Sequence, residues 1–262
     1  MSLQPTGQYV TTAVAGESVE AFVPDPLPPR LSAKKLATLT GPLRDAEAAL
    51  ARLDLAGEMI PSLDWFISAF VRKEALLSSE IEGTQATLVD VLAWEQAEQL
   101  GASNIDDIEE VTNYVAAVNH AFKEIHSPKG PPISVRLLND CHHILMEGVR
   151  GTTKQPGELR RSQNWIGGSR PGNAVFVPPP PDRVADLLSD LERYIHAEDD
   201  LAPLLRIALA HVQFETIHPY LDGNGRLGRM LIALLLEHWQ LLKSPLLYLS
   251  LYLKQNQAAY YL

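Results

Sequence analysis

From Leu31 onward, apolar residues recur at three- and four-residue intervals, the spacing of helices that bury one face. The pattern predicts helices over 31–57, 61–83, 87–99, 104–125, 134–149, 183–195, 201–217 and 226–242. Gly41-Pro42 and Gly57 break the first of these stretches. Pro61 suits a first helical turn, and Gly83 suits the position just past a last one. Asn104 or Asp106 serves as the cap of the fourth helix and Ser134 as that of the fifth. Strand-like character is convincing only over 164–177, where two short pieces flank Pro171-Gly172-Asn173 and four prolines from Pro178 stop the second. A lone hairpin cannot found a sheet core, so this one reads as a flap with a free edge. The first thirty residues are weakly patterned and end in the proline-dense Pro24–Arg30, which predicts an extended, polyproline-like arm. The expected fold class is all-α, with a small β-hairpin flap.

Charge narrows the possible partners. The 262 residues carry a formal net charge of −10, which argues against a nucleic-acid surface, because a phosphate backbone needs clustered Lys and Arg. Cys141 is the only cysteine, so neither an internal disulfide nor a thiolate zinc site is available. The longest apolar stretches, 230–239 and 244–253, are too short to span a bilayer. The opening residues lack a basic segment followed by an apolar one, so no membrane partner and a cytoplasmic location are the expectations. The final residues are apolar and in mid-pattern, which predicts that the intact protein continues beyond Leu262.

The unusual chemistry lies in ETIHPYLDGNGRLGRM, Glu215 to Met230. Gly223 and Gly225 let backbone N–H groups turn toward a ligand, and a helix begins just behind them. Arg226 and Arg229 share one helical face and are suited to clamp phosphate oxygens. Asp222 offers a hard oxygen for Mg²⁺, and His218 offers an imidazole to accept a proton near neutral pH. Without a following Gly-Lys-Ser/Thr the loop is no Walker A element, and without a preceding strand it is no dinucleotide loop. Read alone, Asp-Gly-Asn-Gly is equally a turn and cap, and an arginine pair is equally a solvated face.

The full run His218, Pro219, Tyr220, Leu221, Asp222, Gly223, Asn224, Gly225, Arg226 and Arg229 fits H-P-[FY]-x-[DE]-G-N-G-R-x-x-R. In this it resembles Fic domain proteins, most of which transfer AMP from ATP to a hydroxyl side chain of a target protein. The departure is Tyr220, where Phe is commoner. The resemblance implies a Fic-type helical bundle, with His218 as general base. The whole run would bind ATP, Asp222 would hold Mg²⁺, and Arg229 would be the γ-phosphate partner. It implies that Asn224 adds its side-chain amide to the phosphate cradle, and that Asn256, in a helix closing the adenine side, contacts the nucleotide. Ile166, Gly167 and Gly168 would lie in a target-binding flap. Ser78, Glu82 and Gly83 in SSEIEG are similar to an inhibitory [S/T]-x-x-x-E-[G/N] motif. Glu82 would pair with Arg229 where the γ-phosphate belongs, and Ser78 would steady its carboxylate. A glutamate at a helix C-terminus faces the negative end of the dipole, a penalty of roughly 0.3–1 kcal/mol that such a cation would offset.

The implied organisation is an arm over 1–30, a helical region with the inhibitory motif over 31–110, and a Fic catalytic domain over 111–262. The C-terminal winged-helix-like domain of longer relatives is missing from this stretch. Ser, Thr and Tyr are the candidate acceptors, self-modification is implied, and the acidic helices are compatible with a homodimer. Two alternatives stand beside transfer: removal of AMP with Glu82 orienting a water, and a non-enzymatic nucleotide sensor. Elsewhere, adjacent His142 and His143 point apart and make a poor metal pair. His211, two turns before His218, reads as a packed histidine. Leu204, Leu205, Ala208 and Val212, with Leu231–Leu236, read as core, and Trp65 and Trp94 as buried anchors. Trp165 opens the flap, where packing and target contact are equally served.

Overall fold

The computed structural model describes residues 6–95, 105–128, 130–148, 152–247 and 249–261. Two strands, β1 (Gly7–Val14) and β2 (Glu17–Pro24), precede the helices α1 (Ala33–Glu58), α2 (Leu63–Ile81), α3 (Leu88–Glu95) and α4 (Ile105–His126). Then follow α5 (Val135–Leu145), α6 (Pro181–His196), α7 (Pro203–Ile217), α8 (Asn224–His238), α9 (Leu249–Gln255) and α10 (Gln257–Tyr260). The all-α reading with one small antiparallel sheet holds. At the centre, α4 packs on α5 and α2, while α8 packs on α7. Leu227, Met230, Leu231, Leu234 and Leu235 of α8 are wholly buried, so this helix is apolar on most of its circumference and lies inside the bundle.

Local chemistry sets several bounds. Ser32 caps α1 by accepting from the Lys35 N–H at 3.2 Å, and Ser134 caps α5 by accepting from Leu137 N–H at 3.3 Å. Gly83 follows α2 with φ +101°, a conformation that L side chains avoid and a C′ glycine supplies. Asn104 lies outside the described residues; Asp106 falls in the first turn of α4 instead of capping it.

Four expectations are corrected. Gly41-Pro42 does not break the first helix, for α1 runs through it. The missing Pro42 donor strands only the carbonyl of Thr38, an exposed residue within reach of solvent. The N-terminal segment is no polyproline arm over Gly7–Pro24, where Gly7 pairs with Pro24 through to Val14 with Glu17 in an antiparallel hairpin; the stretch over residues 25–30 is without helix or strand. Conversely, the flap carries a single bridge, Ile166 to Phe176, around a 3₁₀ turn at Pro171–Asn173. Trp65 is 75% exposed and Val212 61%, so neither anchors the core. On α7 the buried face is Ile207, Ala210, His211, Phe214 and Ile217, because polar Arg206 and Gln213 also turn inward.

Candidate active site

His218 ends α7 in the left-handed region, φ 49° and ψ 61°, with its N–H donating to Phe214 O at 3.0 Å. Few non-glycine residues adopt that conformation, and they concentrate where surrounding structure compels it. Here the compulsion comes from Arg160, which is 2% exposed. Its Nε donates to His218 O at 2.8 Å, and its Nη2 donates to Pro179 O at 2.6 Å and Ile217 O at 3.3 Å. Its backbone N–H donates to Pro219 O at 2.9 Å. With only carbonyls as these partners, burial pulls the guanidinium down to about 10.

The loop itself is stapled. The Asn224 side chain accepts from Tyr220 N–H at 2.9 Å and donates to Tyr220 O at 2.9 Å. Tyr220 is fully buried, donates its hydroxyl to Asn139 Oδ1 at 2.7 Å and stacks on His142 at 3.8 Å. His142 in turn joins Asp222 O at 3.1 Å and accepts from Gly157 N–H at 2.9 Å. Burial lowers the His142 pKa to about 4, so it works as a neutral brace. Gly223 has φ +77°, and a Cβ there would press on Met146 Sδ at 2.8 Å. No side chain caps the start of α8 at Gly223, so the N–H groups of Asn224, Gly225 and Arg226 lack intrahelical acceptors.

Both arginines are buried, Arg226 at 4% and Arg229 at 2% exposure. Arg226 leaves Nε and Nη1 without hydrogen bonds; its contacts are Met146 Sδ at 3.6 Å, Glu110 at 3.8 Å and Asp222 at 3.9 Å. Arg229 is occupied. Its Nη2 donates to Glu82 Oε1 at 2.6 Å and to Ser78 O at 3.0 Å, and its Nε donates to Ser78 Oγ at 2.8 Å. Ser78 therefore grips the arginine and not the Glu82 carboxylate. Burial alone would lower the Arg229 pKa, but Glu82 and then Tyr260 and Glu215 raise it. A Cβ at Gly225 would collide with Glu82 Oε1, which places that carboxylate directly over the loop.

The His218 pKa falls to about 4, through burial first and the Arg160 charge second, against a weaker pull from the Glu215 backbone. The imidazole is therefore neutral at pH 7. Asp222 is half exposed, with Oδ1 accepting from Gly223 N–H at 2.6 Å. Among the described residues no group of three His, Cys, Asp or Glu forms a metal cage. One half-exposed carboxylate on a glycine loop is compatible in chemistry with Mg²⁺, which keeps waters and takes phosphate oxygens as its other ligands. Leu221 is half-buried and Pro219 buried. Asn256 is exposed at the α9–α10 junction and donates to Tyr252 O at 2.9 Å. Gly167 and Gly168 turn the flap with φ +67° and +73°, and Trp165 beside them is 36% exposed.

Sequence reasoning missed Arg160, His142 and Glu215. Glu215 lies one turn before His218, where burial raises its pKa to about 7 despite Arg229, with Glu82 adding to the rise. Gly228 makes room for it, since a Cβ there would strike Glu215 Oε1. His211 is the packed histidine expected, joined to Gly228 O at 3.0 Å and Tyr260 Oη at 3.1 Å.

This arrangement of two helices, a glycine loop and a flap is that of the Fic fold. A Fic family protein from Desulfovibrio desulfuricans G20 superimposes with a TM-score of 0.64 at 26% identity, covering 89% of this chain and 66% of that one. Fic-1 from C. elegans gives 0.62 at 20% identity over 79% and 60%, a likeness of fold alone. Residues 40–123 match the Fic/DOC family N-terminal model and residues 132–236 the Fic/DOC family model. The chain belongs to the Fic/DOC family. Protein adenylyltransferase Fic of Drosophila yakuba is 42% identical over 161 residues, 60% of this chain and 30% of that protein. Its counterpart in Drosophila willistoni is 30% identical over 202 residues, 72% of this chain and 38% of that protein. The chain thus spans about a third of the length of these curated relatives.

Proposed function

We propose that the site transfers AMP from ATP to a hydroxyl side chain (Ser, Thr or Tyr) of a target protein, with Glu82 holding it off. The observation that carries this reading is one convergence. A neutral imidazole, an uncapped helix N-terminus and a buried arginine with two nitrogens that make no hydrogen bond all meet at the same loop. A polyphosphate satisfies all three at once. The relatives named protein adenylyltransferase support the same chemistry.

The acceptor oxygen bonds to the α-phosphorus as the bond to the bridging oxygen breaks. Pyrophosphate leaves, and the hydroxyl proton passes to His218. Gly225 and Asn224 act through backbone N–H groups, because the Asn224 amide is spent on Tyr220. Asp222 would hold Mg²⁺, which when bound neutralises phosphate charge. Asn256 would meet the base, and Ile166 to Gly168 the target backbone. Self-modification follows the same route. Glu82, seated on Arg229 and over Gly225, takes the room and the cation that a terminal phosphate needs.

The test is ATP labelled at the α-phosphate, incubated with wild type, Glu82→Gly and Glu82→Gly/His218→Ala. Label on protein with Glu82→Gly, lost with the double variant, is the expected result. Nucleotide binding with no label from any variant would sink transfer, and release of AMP from a pre-modified protein would reverse its direction.

A further inference from the structure

Resting on that reading and deepening it, we infer that the N-terminal hairpin positions the flap and fixes which of its edges an acceptor segment joins. The flap cannot hold itself: one bridge between Ile166 and Phe176 is far below what a free-standing hairpin requires. Gln163 ties the flap's stems by donating to Pro178 O at 2.8 Å and Asn164 anchors its base on Tyr220 O at 3.1 Å, and the hairpin braces its far end through four different kinds of contact. Phe22 N–H donates to Val177 O at 2.9 Å. The Glu17 carboxylate pairs with Arg170 and accepts from Gly172 N–H at 3.1 Å, gripping both sides of the flap's turn. The Phe22 and Phe176 rings lie 6.2 Å apart. Val14, Val19 and Ala21 close a small buried cluster with Val177, separate from the main core.

The hairpin is itself moored to the helix that ends in His218. Gln213 of α7 donates to Asp25 O at 3.1 Å, one residue beyond β2. The connection therefore runs from α7 through Asp25 and β2 to Val177 and across to Ile166. It meets the second stem of the flap two residues before Pro179, whose carbonyl Arg160 holds.

The same contacts decide which edge is open. In β2, Phe22 faces Tyr9 across the hairpin yet sends its N–H outward to Val177, so the outer edge of β2 meets the flap at that bond. The Phe176–Val177 side of the flap is thereby covered. Ile166 spends its N–H and carbonyl on Phe176 and Val175. By strand alternation, Trp165 points its backbone groups the other way, and it makes no backbone hydrogen bond among the described residues. Positive φ at Gly167 and Gly168 ends the edge there. An extended, hydroxyl-bearing segment of a protein fits this short edge, held by its main chain. Glu17 and Phe22 are positioning residues for that event.

Two variants test the inference, Glu17→Gln and Phe22→Ala, each in the Glu82→Gly chain. The first keeps the hairpin's apolar cluster whole if the second disrupts it. Amide exchange should quicken at Val175 and Phe176 by about tenfold, with exchange in α8 unchanged. With soluble lysate proteins as acceptor, the apparent KM for protein should rise about tenfold while kcat and the Kd for ATP hold. Unchanged flap exchange in both variants overturns the positioning role. Quickened exchange with an unchanged acceptor KM overturns its link to recognition. Absence of transfer in the parent Glu82→Gly chain is the separate failure of the proposed activity, and the exchange measurement is independent of it.

Discussion

On one side of the site, the loop between α7 and α8 is fixed by buried partners. Arg160 holds three carbonyls around His218, Asn224 staples Tyr220, and His142 stacks beneath. On the other side, Glu82 ends α2 with a carboxylate that is 36% exposed and bonded to one arginine. Its helix is clasped from outside by the last two helices. Ser250 donates to Glu74 at 2.5 Å, Lys254 pairs with Glu80 at 2.5 Å, and Gln257 donates to Ile81 O at 3.3 Å. Buried hydrogen bonds resist salt, whereas half-exposed charge pairs are individually weak and separable. One half is built to keep its geometry and the other to give way.

The sharpest way to break that contrast is at the base. His218→Ala in the Glu82→Gly chain should cut AMP incorporation by about 10²–10⁴ while ATP binding persists, measured by initial rates and calorimetry. Equal loss of binding would mean that the loop depends on the imidazole for its shape. Arg160→Met should lower stability by about 3 kcal/mol, read from the denaturant midpoint at constant slope, because several carbonyls lose their donor at once. The opposite half should respond with gain. Glu82→Gly should raise the initial rate roughly ten- to hundredfold, the worth of a charge-assisted hydrogen bond. Arg229→Ala should abolish that gain.

Acidity separates the halves more gently. Burial raises the Glu215 pKa to about 7, so its stabilising proton is fully held at low pH and lost as pH climbs through that value. His142, His211 and His218 are lowered to about 4 and behave oppositely, giving stability above pH 6.5 that is lost as pH falls through 4. Glu215→Gln should therefore make stability climb more steeply from about pH 4.5 to 6.5, by roughly 1–2 kcal/mol across the window. Denaturation at both pH values checks it. Lys254→Ala should have the smallest effect, raising basal transfer about twofold by loosening the clasp, since such pairs contribute about 0.2–1 kcal/mol.

The helical bundle and the loop were legible because both are local. Apolar spacing marks α4 to α8, and the residues from His218 to Arg229 lie within two adjacent elements. What escaped was long-range or quiet. Arg160 sits 58 positions before His218, and no pattern marks an arginine that bonds only carbonyls. His142 looked like half of a poor metal pair, yet it is the stacking partner of a loop 80 positions away. The hairpin at Gly7–Pro24 was hidden because β1 is polar on much of its surface, and its buried partner Val177 lies far along the chain. Pro42 misled because a helix tolerates proline where the orphaned carbonyl faces solvent.

Gly225 carries a consequence for how this chain can change over time. Any larger side chain there would meet the Glu82 carboxylate and Arg229 together. It would displace that carboxylate and in the same stroke intrude on the loop to which the proposed mechanism assigns the phosphates. Under the proposed mechanism, release and damage are thus bound into one mutational step, and no single substitution at 225 would lead from a restrained enzyme to an unrestrained one. The route to constitutive activity is left to positions such as 82, where the carboxylate can be lost without touching the loop. If the proposed mechanism holds, restraint is therefore inherited separately from chemistry, free to be lost or kept while the loop stays as it is.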